Sequence, residues 1–336
     1  MQDLHLHAKA KHIAEMKNLL MISFLFTVMA ATSAQPDFTK PDSVALSFSG
    51  KYTDPADLAR QLTAHFSTDT DKARVLFTWV ADNIRYDVEK FENPNKRRQV
   101  SAKTKEELEQ KKKEAIEADL RSTFKTKKGV CEDYSRLYKA MCDAVGLECE
   151  VVTGDAREFF KPYRAIHDNP HAWNAVKVDG QWQLLDVTWA AGYVRNHKFN
   201  KHLQLGHFMP PPAWFAERHL PDQPAWQLLE TPISTKAFPS QPLVNYGQSE
   251  YPLTDFSQNL GKLPNGDIRL RFKFSNQPKT FMVANGQSRK PIEFSQTMED
   301  GYVVFQFSPR GLGDVALFMG ERLDEKMTWL ARYDIK

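Results

Sequence analysis

The sequence predicts an α+β protein whose C-terminal part is all β. Apolar residues at three- and four-residue steps predict an amphipathic helix over residues 131–145. The dipeptide Asp179-Gly180 favours a two-residue type I′ turn, so the segments on either side of it should pair as a hairpin. From residue 268 onward the apolar period becomes two, which is typical of strands with one buried face. A region of helices and strands is therefore followed by an all-β region.

The N-terminal residues have the layout of a secretory signal peptide. Lys17 precedes a twelve-residue apolar run over residues 19–30, and the small residues 31–34 follow it. The run is shorter than the about 20 residues that a membrane span needs. Met16 is an alternative start, because the residues before it are mostly polar. We expect cleavage near Ala34 and a secreted or periplasmic mature protein without a membrane span.

Two helices and a charged segment precede the 131–145 helix. Asp54-Pro55 has the form of an N-cap followed by proline at the first helical position, and a second helix is predicted over residues 71–84. Residues 93–122 are predicted to be an inserted helix or a flexible flap. Their lysines and arginines are interspersed with glutamates, so we expect a solvated surface rather than a phosphate-binding one. A strand over residues 147–154 then begins the sheet that the hairpin continues.

The C-terminal third changes in composition twice. Prolines recur between residues 208 and 264, which predicts connecting chain with short helical pieces. Apolar alternation then predicts five strands, over residues 268–274, 280–284, 302–307, 315–319 and 327–333. Short strands separated by glycine-containing turns predict a β-sandwich of immunoglobulin-like size. No cluster of polar groups marks it, so we expect a packing partner or a substrate-presenting wall rather than an independent binding module.

Composition excludes some functional classes. The chain of 336 residues carries a formal net charge of +3, and no strongly basic face indicates nucleic acid as a partner. It contains neither a Cys-x-x-Cys nor a His-Glu-x-x-His motif, so we predict no metal site and no other cofactor. An apolar content of 41% suffices for the cores of two domains.

A cysteine, a histidine and an aspartate each lie in a local motif of their own. The three motifs are Gly129-Val130-Cys131-Glu132-Asp133-Tyr134, His171-Ala172-Trp173-Asn174 and Leu185-Asp186-Val187-Thr188-Trp189. Cys131 opens the 131–145 helix, where unpaired N–H groups and the helix dipole favour a thiolate. These residue types are those of a thiol nucleophile, its base and the group that orients the base.

The hairpin register decides whether the histidine and the aspartate can meet. If Val178 pairs with Gln181, Trp173 lies opposite Asp186, and His171 is its diagonal neighbour on the same face. A slip of one residue would place the two groups on opposite faces. The two-residue turn at Asp179-Gly180 favours the first arrangement, so we expect a hydrogen bond between His171 and Asp186.

The three motifs resemble those of the transglutaminase-like superfamily, whose members share GxC, HAWN and DxTW. Residues 190–193 and 219–229 resemble its kyphoscoliosis-peptidase-like branch in particular, and the resemblance covers about residues 55–235. It implies a transglutaminase-like, papain-like fold with Cys131 as nucleophile, His171 as base and Asp186 as its orienting group. The Gly-Gln-Cys-Trp motif of crosslinking transglutaminases is absent, so we expect protease or amidase activity rather than glutamine–lysine crosslinking.

The predicted reaction is acyl transfer through a thioester on Cys131, with a protein or peptide as substrate and cell-envelope protein as a candidate. The N–H group of Cys131 is an expected oxyanion donor. The other candidates for the oxyanion site or the cleft are Trp79, Tyr86, Asn174, Trp173 and Trp189. The alternative function is a noncatalytic cell-envelope binding scaffold of the same fold, which would not need an activated thiol.

The expected organisation has four parts: a leader over residues 1–34, a catalytic domain over 35–235, a linker over 236–263 and a β-sandwich domain over 264–336. Cys131 and Cys142 are about 16 Å apart along one helix, too far for a disulfide. Cys142 and Cys149 flank a helix end and could meet, but we expect two buried thiols there rather than a bridge.

Overall fold

The computed structural model describes residues 37–335 except 94–97, 99, 160–162, 164, 248–249 and 326. The predicted signal peptide and its cleavage point near Ala34 lie outside the described residues. Within the described ranges, no helix has the length and apolar content needed to cross a bilayer.

The helices lie mainly in the first half of the chain. They are α1 (Thr39–Ser47), α2 (Pro55–Thr63), α3 (Asp69–Asn83), α4 (Val88–Glu92), α5 (Lys105–Thr126), α6 (Cys131–Asp143), α7 (Val187–Ala191) and α8 (Pro212–Ala216). Asp54 caps α2 as predicted, accepting a hydrogen bond from the N–H of Asp57 at 2.8 Å. Thr68 caps α3 in the same way, so this helix begins two residues before its predicted start. The charged segment forms α5, of which only Thr123 is buried.

The cysteine helix α6 is fixed from its buried face. Tyr134 and Tyr138 are fully buried. Their hydroxyls donate hydrogen bonds to the carbonyls of Ile84 at 2.8 Å and Ala73 at 3.2 Å, which tie α6 to α3. Strands β1 (Arg85–Tyr86) and β2 (Lys128–Gly129) pair in parallel just before α6 begins. The position of Cys131 is therefore set by a rigid core.

The central sheet contains the predicted hairpin. It includes the antiparallel strands β3 (Cys149–Ala156), β4 (Pro170–Val178) and β5 (Gln181–Leu185). A separate hairpin follows along the chain, formed by β6 (Gly192–Arg195) and β7 (Lys198–Lys201). Val178 pairs with Gln181 and Asn174 with Leu185, which confirms the predicted register. Asp186 follows β5 directly and therefore lies opposite Trp173.

A fourth strand, β8 (His219–Pro221), completes the central sheet in the order β5-β4-β3-β8. The prediction of connecting chain was wrong here: this proline-rich segment pairs with β3, and Ala156 lies opposite His219. Only three residues pair, at the sheet edge, where prolines are tolerated and no apolar alternation has room to develop. Short 3₁₀ turns lie nearby, at Leu205–His207, Pro224–Gln227 and Phe238–Ser240.

Two antiparallel sheets follow. One has the order β10 (Leu253–Phe256), β12 (Ile268–Phe274), β15 (Tyr302–Phe307), β14 (Ser295–Glu299), with β11 (Gly261–Lys262) also pairing with β12. The other has the order β13 (Thr280–Asn285), β16 (Asp314–Gly320), β17 (Thr328–Asp334), β9 (Leu243–Val244). All five predicted strands are confirmed. One apolar cluster includes buried residues of both sheets together with Trp173 and Phe215, so this core continues up to the central sheet.

The predicted linker over residues 236–263 is not a plain connection, since it supplies β9, β10 and β11. Strands β9 and β11 contain only two residues each, too few to show alternation. Strand β14 was also not predicted. All five of its residues are exposed, so it carries no apolar pattern.

The junction of β3 and β8 gives a stability prediction. A Cβ atom on Gly154 would lie 2.1 Å from the Leu220 carbonyl oxygen and 2.7 Å from Pro221 Cα, both backbone atoms of β8. Gly154→Ala should therefore push β8 away and lower the free energy of unfolding by about 1–3 kcal/mol, measured in urea. Gly313→Ala is the control, because its Cβ would approach Gln287 Nε2 only to 3.5 Å. Equal stability of the two variants would contradict the tight junction.

Candidate active site

Cys131 is the first residue of α6 and is partly exposed. The first N–H groups of a helix have no partner within it, so they are free to stabilise negative charge at this position. Both neighbouring acids are engaged elsewhere. Asp133 accepts hydrogen bonds from the Val130 N–H at 2.8 Å and from Lys90 Nζ at 2.7 Å, and Glu132 accepts from Arg136 Nε at 3.1 Å. Asp133 thus stabilises the start of the helix.

His171 connects the thiol to a carboxylate. Its Nε2 donates a hydrogen bond to Asp186 Oδ2 at 2.7 Å, as the register predicted. Cys131 interacts electrostatically with the same ring, and Nδ1 is the nitrogen that does not face the carboxylate. Burial lowers the pKa of His171, but the Asp186 carboxylate and Cys131 outweigh burial and raise this pKa to about 10. The ring is therefore an imidazolium at neutral pH.

Asp186 is fully buried and accepts three hydrogen bonds. It caps α7 by accepting from the Trp189 N–H at 2.9 Å through Oδ1, while Oδ2 accepts from His171 and from His219 Nε2 at 3.0 Å. Burial raises the pKa of this carboxyl, but the charge and hydrogen bond of His171, with the His219 hydrogen bond, hold the pKa well below its usual range. Asp186 is therefore ionised and locked in one orientation.

His219 is the site residue that was not predicted from the three local motifs. Burial lowers its pKa to about 4, although the hydrogen bond to Asp186 acts in the opposite direction. The neutral ring has one N–H but faces two acceptors, Asp186 Oδ2 at Nε2 and the Phe215 carbonyl at Nδ1, 3.2 Å away. The carboxylate is the stronger acceptor, so we assign the proton to Nε2. The ring stacks on Phe215 with centroids 3.8 Å apart. The proline-rich pattern around it gave no signal for the short strand that brings it to Asp186.

His171, Asp186 and His219 also have the composition of a metal site, and their ligand atoms lie within 4.8 Å of one another. In this arrangement, however, the Nε2 atoms of His171 and His219 both point at the same oxygen, Asp186 Oδ2, at hydrogen-bond distances. Zinc ligands would instead direct lone pairs at a common ion about 2.0–2.1 Å away. The arrangement suits the holding and transfer of protons.

Two of the aromatic candidates lie on the cleft. Trp189 stacks on the His171 ring, with centroids 5.3 Å apart and planes 26° apart. Tyr86 lies on the cleft wall, and its ring contacts Phe91 and Tyr134.

The other three candidates are buried away from the cleft wall. Asn174 Nδ2 donates to the carbonyls of Ser135 at 3.0 Å and Glu150 at 3.2 Å, so this amide ties α6 to β3 and is not a free cleft donor. Trp79 is buried in the helical core, where its ring contacts other aromatic side chains. Trp173 is buried against Phe215 and the edge of the His219 ring. For these three, the structure corrects the prediction, because motif position alone does not give the side-chain direction.

The cleft has a volume of about 1150 Å³, and residues from two parts of the chain line it. His171, Thr188 and Trp189 belong to the central sheet and the helix that follows it. Asn245, Phe318, Thr328 and Trp329 belong to the C-terminal sheets and the chain before them. The β region therefore forms part of the surface that a substrate would meet.

All three cysteines are free. Cys142 and Cys149 are both buried, as expected. Burial is the main reason that the pKa of Cys149 lies well above its usual value. Cys131 is thus the accessible thiol, and the two buried ones serve as internal references in labelling experiments.

The part of the chain that carries this site resembles known proteins. A family model described as the transglutaminase-like superfamily matches residues 56–187. Kyphoscoliosis peptidase from Mus musculus is 30% identical over 243 residues, which are 70% of this chain and 31% of that protein. Hillarin from Drosophila melanogaster is 27% identical over 208 residues, 56% of this chain and 22% of that protein. The chain thus spans less than a third of the length of these curated relatives.

A solved crystal structure of a TGase is 20% identical, covers 57% of this chain and 41% of that chain, and gives a TM-score of 0.28. A TM-score this low supports no inference about the site.

Proposed function

Because this chain belongs to the transglutaminase-like superfamily, we propose that it is a cysteine-dependent enzyme that hydrolyses peptide or side-chain amide bonds through a thioester. The observation that carries the proposal is the placement of His171 between Cys131 and the ionised, fully buried Asp186. A protonated histidine next to a thiol at a helix N-terminus is the arrangement that activates a cysteine nucleophile.

The first half of the reaction forms the thioester. The Cys131 thiolate attacks the amide carbonyl carbon, and the N–H of Cys131 stabilises the oxyanion that develops. His171 then donates its proton to the amide nitrogen, the C–N bond breaks, and the amine leaves. Asp186 keeps the imidazole oriented throughout, because its hydrogen bonds to His219 and to the Trp189 N–H fix the carboxylate.

The second half releases the acyl group. His171, now neutral, takes a proton from water, the resulting hydroxide attacks the thioester carbonyl, and the C–S bond breaks to give a carboxylic acid and the Cys131 thiolate. We favour water over an amine as the acceptor, because Val130 and Glu132 replace the residues that flank the cysteine in crosslinking transglutaminases. The substrate in this proposal is a protein or peptide, with cell-envelope protein as a candidate.

Two finer proposals complete the assignment. The signal-peptide pattern over residues 17–34 supports action outside the cytoplasm, as a secreted or periplasmic enzyme without a membrane span. The shared apolar core of the two C-terminal sheets supports an immunoglobulin-like sandwich as the second domain, with part of its surface on the cleft.

The test is the pH dependence of Cys131 alkylation by iodoacetamide, with mass spectrometry to locate the label. We expect rapid labelling that persists down to pH 6, because a thiolate next to an imidazolium remains reactive there. In His171→Ala the thiolate loses its cationic partner, which should slow labelling at pH 6 by about tenfold or more. Cys142 and Cys149 should label slowly in both proteins because they are buried.

A matched substitution separates loss of the imidazolium from general damage. His197→Ala removes an exposed histidine that pairs with Glu92. This variant should label like the unsubstituted protein. Equally slow labelling of Cys131 at pH 6 in the unsubstituted protein and in His171→Ala would contradict the enzyme proposal and favour a noncatalytic binding scaffold of the same fold.

A further inference from the structure

Arg218 is a nearly buried cation on the cleft wall. It is 6% exposed, and its Nε donates a weak hydrogen bond to the Arg157 carbonyl at 3.4 Å. Across the part of the chain that the structure describes, no carboxylate oxygen lies within the 4.0 Å of an ion pair with this guanidinium. A buried charge without a counter-ion is costly, so the cleft holds an unsatisfied site for an anion.

Aromatic rings hold the guanidinium in place. Its central carbon lies 4.1 Å from the ring centroid of Trp189, 5.2 Å from that of Trp329 and 6.0 Å from that of Tyr246. Cation–π contacts of this kind fix a guanidinium by its faces and leave N–H groups at its edges for hydrogen bonds. Both tryptophans line the cleft.

The nearby acids act on the guanidinium without forming an ion pair with it. Burial lowers the pKa of Arg218, and the more distant charges of Glu158, Asp186 and Glu217 oppose this effect. Burial also raises the pKa of the Glu217 carboxyl well above the usual value, against the charges of Arg157 and Arg218. Glu158 lies on the cleft wall, where it accepts a hydrogen bond from Asn169 Nδ2 at 3.1 Å. The charge of Asp186 is balanced by His171. Thr188, also on the wall, has a buried hydroxyl without a partner among the described residues.

We propose that Arg218 forms a subsite for a carboxylate of the substrate, either the C-terminal carboxylate or an Asp or Glu side chain. The proposal rests on the proposed amide hydrolysis and names its substrate class. The Trp189 ring contacts both groups, with its centroid 4.1 Å from the guanidinium carbon and 5.3 Å from the imidazole centroid of His171. The separation of the two groups is therefore no greater than the sum of these distances, which at most about three extended residues of roughly 3.3–3.6 Å each would span.

The test uses N-iodoacetyl peptides, which alkylate Cys131 by forming an S–C bond and releasing iodide. The peptides contain one, two, three or four glycines and end in either a carboxylate or a carboxamide. We expect the rate ratio of carboxylate to carboxamide to peak at an intermediate length, at about tenfold or more. In Arg218→Gln this peak should disappear. Arg218→Lys keeps the charge without the planar fork, so it should keep only part of the preference.

Arg195→Gln is the control for overall charge, because Arg195 is an exposed arginine on the same cleft. The ratio should keep its peak in this variant. If the Arg195 and Arg218 variants lose the preference for the carboxylate equally, the cleft as a whole attracts the carboxylate and the subsite proposal is overturned. A ratio that is largest for the shortest peptide would indicate His171 as the attracting cation and would also overturn the subsite proposal. If Arg218→Gln does not fold, the length dependence in the unsubstituted protein decides.

A second pair of reagents distinguishes the two sources of carboxylate. N-iodoacetyl-glycyl-glutamate with a C-terminal amide is compared with its glutamine counterpart, and a preference for glutamate assigns the subsite to acidic side chains. A preference confined to free C-termini assigns it to the end of a peptide. If the proposed function is wrong, Cys131 reacts slowly with neutral iodoacetamide, whereas the carboxylate-to-carboxamide ratio can still be measured. Failure of the proposed function is therefore distinguishable from failure of the subsite proposal.

Discussion

Replacing Asp186 by asparagine is expected to slow the proposed amide hydrolysis by about 10²–10⁴-fold, because His171 loses the charge that keeps it protonated. Burial lowers the pKa of His171, and the Asp186 carboxylate is the first of the groups that oppose burial. Without this charge the pKa of His171 should fall towards or below 6.5. The ring then no longer supplies a proton at neutral pH, and the thiolate loses its cationic partner.

Two measurements check this expectation. The rate of Cys131 alkylation at pH 6 reports the thiolate, and an NMR titration of the His171 ring reports its pKa. Asp314→Asn is a matched control, because Asp314 is also a buried carboxylate, paired with Arg332 in the C-terminal sheets. That variant should lose stability while the alkylation profile of Cys131 stays the same. An unchanged profile in Asp186→Asn would show that another group sets the protonation of His171.

The stability of the folded protein should also depend strongly on pH, with a decline on the alkaline side. The pKa of His171 is raised from 6.5 to about 10 in the folded state. This stabilising contribution is fully present below pH 6.5 and is lost as the pH rises through 10. Each pKa unit corresponds to about 1.4 kcal/mol, so this group supplies several kcal/mol at neutral pH. Urea unfolding between pH 6.5 and 10 measures the decline.

The acid side has a different cause. Burial lowers the pKa of His207 to about 3 and of His219 to about 4, so both are neutral in the folded state while the unfolded chain protonates them near pH 6.5. This makes stability fall as the pH drops below 6.5, and protonation of Asp186 adds to the loss at lower pH. His171→Gln should flatten the alkaline decline and leave the acid one. An alkaline decline equal in both proteins would contradict the assignment to His171.

Much of the fold follows from local patterns. The helix from Cys131 to Asp143 ends only two residues before its predicted end, because its apolar period reflects one buried face. The hairpin register follows from the Asp179-Gly180 turn, since a two-residue turn allows only one pairing of the two strands. That register, in turn, was enough to predict the hydrogen bond between His171 and Asp186. Strands with no apolar alternation, such as Ser295–Glu299, could not be found this way.

The sequence alone determined the three local motifs, the register that joins His171 to Asp186, and the helix start at Cys131, because each depends on neighbours within one element or one tight turn. Only the tertiary structure decided that His219 shares the Asp186 carboxylate, that Asn174 bonds to the cysteine helix, and that Arg218 contacts two tryptophans. These contacts join segments that are distant along the chain. They depend on how whole elements pack, and no periodicity within one segment encodes that packing.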